Sequence, residues 1–151
     1  MSLRKSSHAP HTRILLVDDN PHGLAARKTV LEELGHHTVL ASSGVEALEL
    51  LATQKFALVV TDYKMPRMDG LELISRLRKQ WPNMPVILIS GFVDALGLSE
   101  QNTSADVVIQ KSSNEVAHLV RAVTRLLTRK PARKPAAGET RSLSRPKRKS
   151  S

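Results

Sequence analysis

The chain predicts an α/β fold, a doubly wound layer built on an open, five-stranded parallel sheet. Three observations lead there. Five short apolar runs alternate with segments of helical periodicity, the pattern of repeated strand–helix crossovers. The runs are continuously apolar rather than alternating, as expected of strands covered on both faces. Each run ends in polar residues, as open sheets of this kind do where they bind ligands, at the carboxyl ends of their strands.

The first run is Arg13-Ile-Leu-Leu-Val17, closed by Asp18-Asp19-Asn20. Asn20 suits a helix cap and Pro21 a first helical turn. Leu24, Arg27, Lys28, Leu31 and Leu34 then keep helical spacing until Gly35. Thr38-Val-Leu-Ala41 is the second strand. Ser43-Gly-Val-Glu46 has the form of a capping box and opens a helix whose apolar face is Ala47, Leu48, Leu50 and Leu51. Ala57-Leu-Val-Val-Thr61 is the third strand, ending at Asp62. A loop from Tyr63 to Gly70 leads to a helix with Leu71, Ile74 and Leu77, which Pro82 and Pro85 end. Trp81 near its end is expected to pack. Pro85-Val-Ile-Leu-Ile89 is the fourth strand, closed by Ser90-Gly91. Residues 92–103 support only weak helix. Asp106-Val-Val-Ile109 is the fifth strand, ending near Lys111. Ser112-Ser-Asn-Glu115 has the form of a second capping box, before a helix with Val116, Leu119, Val120, Val123 and Leu127 on one face.

Composition narrows the chemistry. The 151 residues contain no cysteine, which excludes disulfides, thiol catalysis and cysteine-ligated zinc. The six histidines show no zinc spacing and are read as structural or exposed. No apolar run approaches the ~20 residues of a membrane span or has the form of a secretory signal, so a cytoplasmic location is expected. The net charge of +9 is unevenly placed. Residues 129–151 carry nine Lys/Arg against Glu139 alone, whereas residues 14–128 carry 11 basic and 13 acidic residues. The basic character thus belongs to the ends. Residues 1–11 are expected to be a flexible N-terminal segment. Residues 129–151 are expected to form a disordered basic tail, too poor in apolar residues to offset the entropy of ordering.

The strand ends gather Asp18, Asp19, Asp62, Ser90 and Lys111 at one edge of the sheet. Three carboxylates held together repel unless a cation joins them, and all-oxygen ligation favours Mg²⁺. Asp62 could then act as a nucleophile toward a phosphoryl group. Lys111 and the Ser90 hydroxyl could hold its oxygens, and Gly91 would leave the entry path open. Taken singly, each residue has a plainer role: a helix cap, a loop acid, a turn, a solvated lysine. Four such coincidences at successive strand ends favour the joint reading.

These residues resemble the receiver domain of two-component response regulators. The resemblance rests on Ile14-Leu-Leu-Val-Asp-Asp19, Val59-Val-Thr-Asp-Tyr-Lys-Met-Pro-Arg-Met-Asp-Gly70, Ile87-Leu-Ile-Ser-Gly91 and the stretch from Ala105 to Lys111. It covers roughly residues 12–128. It implies a sheet order of 2-1-3-4-5, as in flavodoxin-like and CheY-like folds. It implies Asp62 as phosphoacceptor and, with Lys111, the reacting pair. Asp18, Asp19, Asp62 and the backbone carbonyl of Lys64 would hold Mg²⁺, with Ser90 as the hydroxyl switch and Lys111 as the phosphate-binding lysine. The implied donor is a sensor histidine kinase or a histidine phosphotransfer protein, and the implied output is a conformational switch read by a downstream protein. Only self-phosphorylation and autodephosphorylation chemistry is expected, not enzymatic turnover.

Two positions depart from the family pattern. Ser112 follows Lys111 where the family usually has proline, and Val108 stands at its aromatic switch position. A short, weak fourth helix adds to these. A degenerate receiver that binds a partner without phosphorylation is therefore an alternative, as is weak nucleic-acid or polyanion binding through the tail. A phosphatase acting on free substrates would need a general acid that this set does not supply. The 23 residues after Thr128 are too few for a DNA-binding or enzymatic output module, so the expectation is a stand-alone receiver with a basic tail or a piece of a longer protein.

Overall fold

The computed structural model describes residues 13–128. The expected flexible segment 1–11 and the basic tail 129–151 lie outside the described residues, and so do their expected properties. The elements run β1 (Arg13–Val17), α1 (Pro21–Glu33), β2 (His37–Ala41), α2 (Gly44–Thr53), β3 (Leu58–Asp62), α3 (Gly70–Gln80), β4 (Val86–Ser90), α4 (Val93–Leu96), α5 (Glu100–Thr103), β5 (Val107–Gln110) and α6 (Glu115–Thr128).

All strand pairings are parallel, in the order β2-β1-β3-β4-β5. The expected architecture is therefore the observed one. Successive side chains of a strand point to opposite faces, and the strands use both. Leu15, Val17, Val59, Val86 and Leu88 face one way and pack with Ala47 and Leu51 of α2 and Leu73, Ile74 and Leu77 of α3. Ile14, Leu16, Leu58, Val60, Ile87 and Ile89 face the other way and meet Leu24 and Leu31 of α1 and Leu119, Val123 and Leu126 of α6. Every one of those strand residues is essentially buried. Trp81 joins the edge of the first cluster, as expected.

The chain order reverses at β1, which lies between β2 and β3. The carboxyl ends of β1 and β3 therefore open onto one crevice, the topological switch point of such a sheet.

Local chemistry agrees with the sequence at several helix ends and differs at others. Asn20 caps α1 by accepting from the His22 N–H at 2.9 Å, with Pro21 following it. Asp69 caps α3 through the Glu72 N–H. Ser43 caps α2 by accepting from the Glu46 N–H. The Glu46 carboxylate does not return to Ser43, however. It accepts from the N–H and hydroxyl of Ser42, so the box is displaced by one residue. At α6 the expected capping box is not formed. The Ser112 hydroxyl accepts from the Asn114 N–H, and the Glu115 carboxylate is held by Arg27 of α1. Leu34, expected to continue the helical spacing of α1, stands just past its end and is half exposed. Val116 faces solvent in the first turn of α6, and Ala122 and Leu126 take buried places on that helix.

Residues 92–103 are two single-turn helices rather than one weak helix. Gly97, at φ 65°, closes α4 in the left-handed region open to glycine. Ser99 and Asn102 form a reciprocal capping box around α5. Among the described residues no helix is long and apolar enough to cross a membrane.

Candidate functional site

Four strands and one helix deliver the polar groups of the crevice. Asp18 follows β1 directly, and its N–H donates to the Ala41 carbonyl, which continues the sheet by one residue. Asp62 is the last residue of β3, paired in register with Ile89. Ser90 ends β4. Lys111 follows β5, and its N–H donates to the Ser90 carbonyl at 2.9 Å. The sheet register thus aligns these positions along one edge.

Asp18, Asp19 and Asp62 each present a carboxylate oxygen, and these atoms lie within 4.8 Å of one another. Asp18 and Asp62 are buried and Asp19 is exposed. A hard cation taking oxygen ligands fits that donor set. The Lys111 ammonium stands 2.8 Å from Asp62 Oδ1 and forms an ion pair with it. Ser90 is buried, and its Oγ accepts from the Phe92 N–H at 2.9 Å, which fixes the turn after β4. The mouth of the crevice is lined by Asp19, Lys64, Pro66, Ser90, Gly91 and Lys111, among others.

Burial chiefly pushes the Asp62 carboxyl above the usual carboxylate range. The Asp18 charge adds to this, while Lys111 and Arg27 oppose it.

The loop after β3 is held by its own residues. Met65 and Met68 are buried in the core, and the Gly70 N–H donates to the Tyr63 carbonyl at 2.7 Å. Position 70 tolerates no side chain: a Cβ there would lie 2.4 Å from the Asp62 carbonyl oxygen. Glycine at 70 therefore lets α3 start directly against the strand that carries Asp62. Gly91 differs, because a Cβ there would meet nothing within 4 Å. Lys64 turns outward, with its ammonium 5.5 Å from the centre of the Phe92 ring.

The structure thus brings Asp18, Asp19, Asp62, Ser90, Gly91, Lys64 and Lys111 to one crevice, as the sequence predicts. Val108 places no aromatic ring beside it, and its N–H donates to Glu100 of α5. Among the described residues there is no cis peptide bond, so Lys111–Ser112 is trans.

One member of the crevice was not singled out by sequence reasoning. Arg27, read there as part of a helical stripe, is only 6% exposed. Its Nη1 donates to Asp18 Oδ2 at 2.8 Å, its Nε to Glu115 at 3.0 Å, and its Nη2 lies 3.9 Å from Asp62 Oδ1. A charged residue at a position spaced for the core was the available signal, since arginine is almost never fully buried unless paired.

Comparison with known proteins agrees with this geometry. A family model described as the response regulator receiver domain matches residues 14–124. The response regulator receiver protein CpdR of Brucella abortus is 29% identical over 115 residues, which cover 76% of this chain and 96% of CpdR. The transcriptional regulatory protein GlrR of Escherichia coli is 38% identical over 98 residues, 63% of this chain but 22% of GlrR, so the chain spans about a fifth of that relative's length. The solved structure of the response regulator TrrA of Thermotoga maritima, in complex with Mg²⁺ and BeF, superposes with a TM-score of 0.69 at 31% identity, covering 76% of this chain and 98% of that one. Fold, crevice and comparisons agree that the chain belongs to the response regulator receiver domain family.

Proposed function

We propose that this chain accepts a phosphoryl group on Asp62 from a histidine kinase or a histidine phosphotransfer protein, in a Mg²⁺-dependent reaction, and signals by a change of conformation. The observation that carries this reading is a buried carboxylate at the end of β3, flanked by two further carboxylates and ion-paired to a lysine from the end of β5.

Asp18, Asp19 and Asp62, with the main-chain carbonyl of Lys64, would hold the metal, and the close oxygen cluster fits a hard divalent cation. When bound, Mg²⁺ supplies charge neutralisation for the oxygens of the transferring group. An Asp62 carboxylate oxygen attacks phosphorus. The new P–O bond forms as the P–N bond to the donor's imidazole breaks, and the imidazole nitrogen keeps the electron pair. Lys111 offers its ammonium to a phosphoryl oxygen, which stabilises charge where it develops. Ser90 Oγ, now an acceptor for the Phe92 N–H, has a proton to donate to another phosphoryl oxygen. Its rotation toward the phosphoryl group would loosen the start of α4 and so carry the change to the surface. With Val108 in place of an aromatic residue, that change runs through the segment from Gly91 to Ser99 without a ring flip.

Beryllofluoride, a mimic of the bound phosphoryl group, tests the reading. With Mg²⁺ present, amide NMR signals of Asp62, Ser90, Gly91 and Lys111 are expected to shift on its addition. Signals that stay in place would instead support a degenerate receiver acting by contact alone.

A further inference from the structure

The acidic crevice already contains a second cation besides Lys111. Arg27 reaches it from the second turn of α1 and touches carboxylates from three separate elements. These are Asp18 after β1, Asp62 at the end of β3 and Glu115 at the start of α6. Asp18 is 2% exposed and Arg27 6%, so their ion pair is almost fully withdrawn from water. Such a pair holds its geometry strongly, because separating it leaves a buried charge uncompensated.

The surroundings are shaped for the pair. A Cβ at position 23 would lie 2.6 Å from Asp18 Oδ2 and 3.7 Å from Arg27 Nη1. Glycine inside a helix carries an entropic penalty, and here its bare Cα leaves the space in which carboxylate and guanidinium meet. Gly23 and Arg27 are spaced i, i+4 and lie on one helix face. Both oxygens of Asp18 are engaged, since Oδ1 accepts from the Asn20 N–H at 3.0 Å. A divalent cation entering among Asp18, Asp19 and Asp62 must therefore face a fixed positive charge and take Asp18 from it. Glu115, at 19% exposure, is the less buried of the two carboxylates that Arg27 holds closely, and it offers the guanidinium a place to move its charge.

We propose that Arg27 sets the metal affinity of the crevice. Its guanidinium is the counterion of Asp18, competes with the divalent cation for that carboxylate, and shifts toward Glu115 when the cation binds. The inference rests on reading the crevice as a metal site. It adds a positioning residue that ties metal loading to the junction of α1 and α6.

Calorimetric titration of the full chain with Mg²⁺ alone tests this without any phosphoryl donor. Arg27→Met is expected to bind Mg²⁺ about tenfold more tightly, since a like charge has been removed beside the site. Arg27→Lys, which keeps a charge and protects the fold if Arg27→Met unfolds, is expected to stay within about threefold of the parent. Glu115→Gln removes the alternative partner and is expected to weaken Mg²⁺ binding in the parent but not in the Arg27→Met background, the non-additivity of an effect routed through one residue. A Glu115→Gln effect of equal size in both backgrounds, or Mg²⁺ affinity unchanged or weaker in a folded Arg27→Met, overturns the proposal alone. Absence of Mg²⁺ binding in the parent and the variants alike overturns the metal-site reading, and the proposal with it.

Discussion

The ammonium of Lys111 lies 2.8 Å from Asp62 Oδ1, although Asp62 ends β3 and Lys111 follows β5, two strands separated by β4. The Lys111 side chain is 41% exposed and that of Asp62 5%, so a lysine reaching from solvent caps a buried anion at the mouth of the crevice. That geometry leaves the lysine able to follow an incoming phosphoryl oxygen. Lys111→Ala should therefore keep the fold and Mg²⁺ binding, and lower phosphoryl incorporation by about 10²-fold or more, the scale of losing one charge-stabilising group. Timed incorporation from acetyl phosphate checks it.

The buried Asp62 charge carries a stability cost of definite sign. Its carboxyl is raised above the usual range, mainly by burial, so the folded state holds the proton more firmly than the unfolded state. Between the unfolded and folded pKa values the folded protein binds more protons, and stability falls as pH rises through that window. Asp62→Asn should thus raise the melting temperature at pH 7 by a few degrees. The advantage should shrink as pH falls through that same window, where Asp62 takes up its proton in the folded protein. Melting curves of both proteins across pH 4 to 7 test the sign.

Gly70 is required by contact, not by its own backbone angles. A Cβ there meets the Asp62 carbonyl oxygen at 2.4 Å, the Leu88 side chain at 2.9 Å and Tyr63 Cα at 3.0 Å. Two of these three are backbone atoms that cannot step aside. Gly70→Ala should cost about 2 kcal/mol or more, while Gly91→Ala, with nothing nearby, should leave stability within about 0.5 kcal/mol. Urea unfolding of the two variants compares them directly.

Ser90 orders the turn that follows it. Ser90→Ala leaves the Phe92 N–H without its acceptor and should cost about 1 kcal/mol. Its informative effect is on switching. The amide shifts that beryllofluoride induces along residues 91–99 should be reduced in this variant, while those at Asp62 persist.

Much of this was legible in the sequence, and the parts that were not have two causes. Continuous apolar runs such as Ile14–Val17 and Val86–Ile89 marked the buried strands, since both of their faces are covered. The polar strand ends marked the crevice, since parallel strands place their carboxyl ends on one edge. Residues whose partner is distant in the chain were misread. Glu115 has the spacing of a capping box, but a buried arginine 88 residues away holds its carboxylate. Arg27 itself fits an apolar stripe by spacing, and only the fold reveals Asp18 beside it. Residues 92–103 were indistinct because α4 and α5 are single turns. Gly97 and the Ser99–Asn102 cap fix them rather than an apolar face.

Intact-mass spectrometry after incubation with acetyl phosphate and Mg²⁺ shows whether Asp62 takes the phosphoryl group. The expected result is a mass gain of one phosphoryl group that is absent with chelator, absent in Asp62→Asn and removed by hydroxylamine, as an acyl phosphate must be. A mass gain that persists in Asp62→Asn, or no gain in the parent with Mg²⁺ saturating, would contradict it.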